Sequence, residues 1–132
     1  MSLRLEKYTA WTTHFQDSET LDISFLVVGS TRTDNGSGVD QDILTDWTTL
    51  ANQAINLCEA RKDCMVILSP RRTDVVGVTS ESTQSSNVVT TGNTASSSSY
   101  STMDSTWVYQ YDRFNDRYVW VPASGHTGGI MA

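Results

Sequence analysis

The residues that most often announce a function are scarce in this chain. It has two cysteines, two prolines and two histidines, and nine basic residues against fifteen acidic ones, for a net charge of −6 over 132 residues. The Lys and Arg residues are scattered, with Arg71-Arg72 the densest cluster. Phosphate binding needs clustered cations, so no nucleic-acid partner is expected. No run approaches the roughly eighteen apolar residues of a membrane span, and no membrane insertion is expected. The opening MSLRLEKYTAW lacks the apolar centre of a signal peptide. Cys58 and Cys64 fit neither CxxC nor zinc spacing and read as two buried thiols in a reducing compartment. Asn35-Gly36-Ser37 has the form of a glycosylation sequon, which means little without a secretory signal.

Catalytic signals are equally thin. Between the first strand and the long helix, Gly36 and Gly38 supply two glycines of a GxGxxG fingerprint, but Gln41 stands at the third position. The loop from Gly29 to Asp40 is also too long for the tight fingerprint turn, and there is no Walker lysine. Asp34, Asp40 and Asp42 have glycines between them where a calcium loop needs oxygen ligands, so they read as a solvated acidic patch that caps a helix. His14 and His126 are the two near-neutral proton-transfer candidates, but no GxSxG elbow supplies a nucleophile. His14 reads as a surface or partly packed residue of the first helix, and His126 as part of the first turn of the last. No catalytic, cofactor-binding or metal-ligating residue is expected, and no cofactor.

What is present is an alternation of helix and strand. Leu5, Tyr8, Trp11 and Phe15 recur at three- and four-residue steps, which predicts an amphipathic helix over 3–16. Leu21 to Gly29 ends in the continuous apolar run of a strand buried on both faces. In Asp40 to Lys62 the stripe Ile43, Leu44, Trp47, Ala51, Ala54, Ile55 and Cys58 predicts a long helix. Asp40 and Asp42 at its start and Arg61 with Lys62 at its end complement the helix dipole. Cys64 to Ser69 is a second buried strand, stopped by Pro70. Strand, helix and strand in this order form a βαβ unit with a parallel sheet, so the fold class is α/β with flanking helices.

From Thr79 to Thr106 well over half the residues are Ser or Thr. Such a stretch buries too little apolar surface to offset its ordering entropy and reads as a mobile surface loop, with at most a short ordered piece near Asn87-Val-Val. Beyond it, Trp107–Asp112 and Arg117–Pro122 alternate aromatic and β-branched residues on either side of Arg113-Phe-Asn-Asp116, which predicts a β-hairpin. Trp107 and Trp120 are candidates to pair across it, in a core or at a subunit interface, whereas Trp11 and Trp47 read as core. Ser124 is placed to cap a final helix beginning at Gly125.

Two stretches carry a family resemblance. Glu59–Gly77 (EARKDCMVILSPRRTDVVG) and Tyr109–Pro122 (YQYDRFNDRYVWVP), the latter followed by Gly128–Ala132 (GGIMA), resemble the tail sheath protein of contractile-tailed bacteriophages, most closely those of large T-even-type myoviruses. The order of elements agrees along nearly the whole chain. The resemblance implies a structural virion protein, made in the host bacterial cytoplasm, whose subunits assemble around a tail tube above a baseplate and contract to drive the tube through the host envelope. Its implied partners are other sheath subunits, the tube and the baseplate proteins. Sheath proteins are several times longer, so the chain is expected to be a single partial domain of a larger protein: a helix plus βαβ core over 1–78, the Ser/Thr loop over 79–106, and a hairpin with the start of a helix over 107–132. The alternatives are a sheath of a phage-derived injection machine or, in another class, a small α/β enzyme or ligand-binding domain using the Gly29 to Asp40 loop.

Overall fold

The computed structural model describes residues 11–29 and 43–132, together with the backbone of two short strands at 33–34 and 40–41. The elements after the helical stretch at 11–15 are β1 (Phe25–Val27), β2 (Thr33–Asp34), β3 (Asp40–Gln41), α1 (Leu44–Arg61), β4 (Met65–Leu68), α2 (Arg72–Val75), α3 (Glu81–Gly92), β5 (Ser101–Met103), β6 (Trp107–Asp112), β7 (Arg117–Pro122) and α4 (Ser124–Met131). Strands β1, β4 and β5 form one parallel sheet in the order β1-β4-β5. Among the described residues the short β2 and β3 pair with each other, and β6 with β7 makes a separate antiparallel hairpin.

The expected βαβ unit is β1-α1-β4. Phe25, Leu26 and Val27 align with Met65, Val66 and Ile67. Alternation along β4 sends Val66 and Leu68 to one face and Ile67 to the other. On the first face lies α1, with Trp47, Ala51, Ala54, Ile55 and Cys58 packed against Val28, Val66 and Leu68. Across the sheet, α4 lies on Val27 and Ile67. A Cβ added to Gly128 would sit 3.1 Å from Val27 Cγ2 and 3.5 Å from Ile67 Cδ1, so that helix approaches closely only because the position is glycine. With helices on both sides, Val66 and Ile67 are fully buried, as a central parallel strand requires.

Several expectations change. The first helix lies within the described residues only at 11–15, where Trp11 meets Phe15 edge-on at 6.1 Å and packs on the core. The long helix starts at Leu44 rather than Asp40, which belongs to β3, and Asp42 lies outside the described residues. The acidic residue in the first turn of α1 is Asp46, while Arg61 occupies the last turn and Lys62 the cap.

The largest correction concerns residues 79–106. Instead of a loop, they hold the twelve-residue helix α3 and the edge strand β5. The side chains of α3 that turn inward, Gln84, Asn87, Val88 and Thr91, recur at three- and four-residue steps. Three of these four are polar, so burial comes with hydrogen bonds rather than apolar area. Gln84 Nε2 donates to the carbonyls of Val75 (3.2 Å) and Val78 (2.6 Å), and Asn87 Nδ2 to that of Asp74 (3.4 Å). The Thr91 hydroxyl donates to the buried Asp74 carboxylate at 2.6 Å, which also takes Arg71 Nη2 at 2.6 Å. Two more bonds tie the following turn to α1, Thr48 Oγ1 to Thr94 Oγ1 at 2.8 Å and Ser96 N–H to Asn52 Oδ1 at 2.8 Å. Satisfied polar burial of this kind orders a chain that apolar burial could not.

Candidate assembly surface

The hairpin β6-β7 is built by alternation and by its turn. Asp112 Oδ1 accepts the N–H of Phe114 (3.0 Å) and of Asn115 (3.4 Å), and Asn115 Nδ2 donates to Oδ2 at 2.6 Å. These bonds hold the Asp112 carboxyl below its ordinary range, the Asn115 side chain contributing most. Asp116 closes the turn at φ 49, a left-handed conformation that Asp tolerates better than most residues. Tyr111 donates its hydroxyl to Asp116, which pushes the phenol upward.

Register then gathers the rings. Tyr109 faces Trp120 and Tyr111 faces Tyr118, on the same side of the ribbon as Trp107 and Pro122. Tyr109 stacks on Tyr118 (centroids 5.2 Å, interplanar angle 23°) and tilts against Trp120 at 4.9 Å, while Tyr111 meets Tyr118 at 5.2 Å. The expected Trp107–Trp120 pair does not form. Trp107 opposes Pro122 and is buried at the base, whereas Trp120 is exposed along with Tyr109, Tyr111 and Tyr118. Tyr109, Tyr111, Tyr118 and Trp120 thus form one contiguous aromatic ridge that stays exposed to solvent. Phe114, at the tip, is 98% exposed.

The base of the hairpin is fastened at the carboxyl end of the sheet. Trp107 Nε1 donates to the Pro70 carbonyl at 2.7 Å, and Trp47 Nε1 donates to the neighbouring Ser69 carbonyl at 2.9 Å. Ser69 Oγ donates to Asp104 Oδ2 (2.7 Å) and accepts the Ser124 N–H (2.9 Å). Ser124 Oγ donates to the Val28 carbonyl at 3.0 Å, so the serine expected to cap α4 instead bonds to the residue just past β1, and Ala123 is the capping residue. Burial pushes the Asp104 carboxyl up, against the Ser69 hydroxyl, the Thr106 N–H and Thr127, which hold it down. Val28, Ser69 and Asp104 each follow directly on one of the three parallel strands, the position where open α/β sheets commonly bind ligands. Here Ser69, Asp104 and Ser124 bond to one another and to the Val28 carbonyl at that position.

Other candidates are dispersed. His14 and His126 are both exposed, on the helical stretch at 11–15 and on α4. The glycines Gly36 and Gly38 lie outside the described residues, as do the side chains of Asp34, Asp40, Gln41 and Asp42. Among the described residues no group of His, Cys, Asp or Glu is arranged to hold a metal ion, and no helix is long and apolar enough to cross a membrane. A shallow groove of about 400 Å³ runs beside β5, lined by Ser96, Ser97, Ser98, Ser101 and Met103, and it carries hydroxyls but no titratable group. Cys58 and Cys64 are buried free thiols.

No family model matches the chain. Three curated relatives are similar to it. The tail sheath protein of Enterobacteria phage T4 is 30% identical over 126 residues, 89% of this chain. That of Salmonella phage ViI is 39% identical over 79 residues, and that of Vibrio phage KVP40 is 31% identical over 86. These matches take in 59% and 54% of this chain. The chain spans 18% of the T4 protein's length and 12% of each of the other two. By sequence it is a homologue of phage tail sheath proteins, matching a minor portion of each.

Proposed function

We propose that this chain is part of the sheath subunit of a contractile phage tail, of the T-even type, and that it works mechanically rather than as an enzyme. The observation that carries the reading is the match to three sheath proteins, the longest of which runs through 89% of the chain. In this reading the subunits pack around a tail tube on a baseplate and rearrange to drive the tube through the host envelope. They are made in the host cytoplasm and end in the virion. The α/β body is a rigid unit, and the exposed aromatic ribbon is a surface for contact with sheath polypeptide. The chain is read as one partial domain of a longer subunit, because it spans under a fifth of each relative.

The test is assembly. The complete polypeptide that carries this sequence is expressed and viewed by electron microscopy, and tubes or stacked rings are expected. Persistent monomers at high concentration would remove the sheath assignment.

A further inference from the structure

The turn between α1 and β4 brings two thiols together. Lys62 adopts a left-handed conformation (φ 60), and its N–H closes on the Cys58 carbonyl at 2.8 Å. Arg61 forks onto Asp63, with Nε 2.9 Å from Oδ1 and Nη2 2.8 Å from Oδ2. Arg61 is held in turn by the carbonyls of Phe15 and Leu21, each 2.6 Å away. The chain therefore reverses within two residues, and Cys64 enters β4 against Cys58. The two sulfurs lie 3.2 Å apart. A disulfide needs about 2.05 Å, so closure moves each sulfur by roughly half an ångström.

We propose that Cys58 and Cys64 are an oxidation site that closes to an intramolecular disulfide under a small peroxide. Hydrogen peroxide transfers one oxygen to the Cys64 sulfur, giving a sulfenic acid and one water. The Cys58 thiol then displaces the sulfenic oxygen, forming the S–S bond and releasing a second water. Two thiols lose one electron each, and the peroxide O–O bond takes both. Cys64 reacts first because it is 6% exposed and Cys58 is fully buried. Burial, and after it the hydrogen bond with Cys64, push the Cys58 thiol up to about 12, so it is a poor first nucleophile. As the resolving group it passes its proton to the departing sulfenic oxygen, and the proximity that the turn supplies offsets its small thiolate fraction. The small oxidant matters, since neither sulfur is open to a bulky disulfide reagent. This inference does not depend on the sheath reading.

The experiment treats the folded chain with hydrogen peroxide, unfolds it, blocks free thiols with N-ethylmaleimide and measures intact mass. The expected product is monomeric, lighter by two hydrogens and free of maleimide, with Cys58 and Cys64 in one crosslinked peptide. In Cys58→Ser the reaction stops at Cys64 as a sulfenic acid that dimedone traps, and Cys64→Ser keeps its remaining thiol. Two maleimide adducts on treated wild type, a crosslink between chains, or sulfinic acid at one cysteine without closure would each overturn the proposal. Dimedone labelling confined to Cys58 in the wild type would overturn the order of attack.

Discussion

The seam between α1 and the sheet and the seam between α2 and α3 are both buried, yet they are made of opposite materials. In the first, Ile55, Ala54, Cys58 and Val66 lie at 0% exposure with almost no polar atoms among them. In the second, the least exposed side chains are Asp74 and Thr91, at 3% and 1%, joined to each other and to Arg71. Apolar burial is tolerant of small shifts, since it scales with area. A buried carboxylate is not, because removing one donor or acceptor leaves the others desolvated and unpaid by any partner. The polar seam is therefore the more specific of the two, and damage to it is felt through the partners left unsatisfied rather than through area lost.

Substitutions break this comparison in a definite order. Ile55→Ala leaves a cavity under α1 and is expected to cost about 3–4 kcal/mol of unfolding free energy in urea titration. Asp74→Ala takes one acceptor from both Arg71 and Thr91, and a loss of about 2–3 kcal/mol is expected. Thr91→Val keeps the shape and gives up one hydrogen bond, for about 1 kcal/mol. If Thr91→Val cost as much as Asp74→Ala, the carboxylate would not be the centre of that seam. On the hairpin, Tyr118→Ala removes two ring contacts at an exposed site and is expected to cost less than about 1 kcal/mol.

The smallest effect is one of pH. The folded pKa of Asp104 is raised above its ordinary value of 3.8, so its favourable contribution is complete below that value and is lost as pH rises through the folded pKa. Asp104→Asn cannot titrate. The stability of wild type relative to the variant should thus be lower at pH 7 than near pH 3.5, measured by thermal unfolding of both. Asp63 and Asp112 have lowered pKa values, held down first by Arg61 and by Asn115. Their stabilisation is lost as pH falls below 3.8, but equally in both proteins, so the difference isolates Asp104. A relative stability that did not change with pH would remove the burial of its charge as a factor.

The same contrast explains what the sequence made legible. β1, α1 and β4 could be read because apolar side chains mark their inward faces, and the aromatic alternation of β6 and β7 gave both strands and the turn between them. α3 could not be read by hydrophobic period, because its inward stripe is Gln84, Asn87, Val88 and Thr91, and a hydroxyl or amide looks the same in sequence whether it meets water or Asp74. β5 was hidden likewise, since Ser101 and Thr102 carry no apolar signal for an edge strand. For the aromatic surface, composition identified the residues but not their partners. The tryptophan pairing failed because the register sets Trp107 against Pro122, and that register depends on a four-residue turn closed by Asp116. Ser124 had the right chemistry for a cap, but Val28, just past β1, offered its hydroxyl a carbonyl.

The fastening of the hairpin has a mechanical consequence. Trp107 on Pro70 anchors the start of β6, and Ser124 on Ser69, two residues past β7, anchors the other end of the ribbon, both at adjacent residues just beyond β4. Beyond that point each six-residue strand reaches roughly 20 Å, at about 3.3 Å per residue. The interlocked rings stiffen one face of the ribbon. It is thus a cantilever with its pivot at Ser69-Pro70, and a rotation of a few degrees in β4 would sweep the tip at Phe114 through an ångström or more.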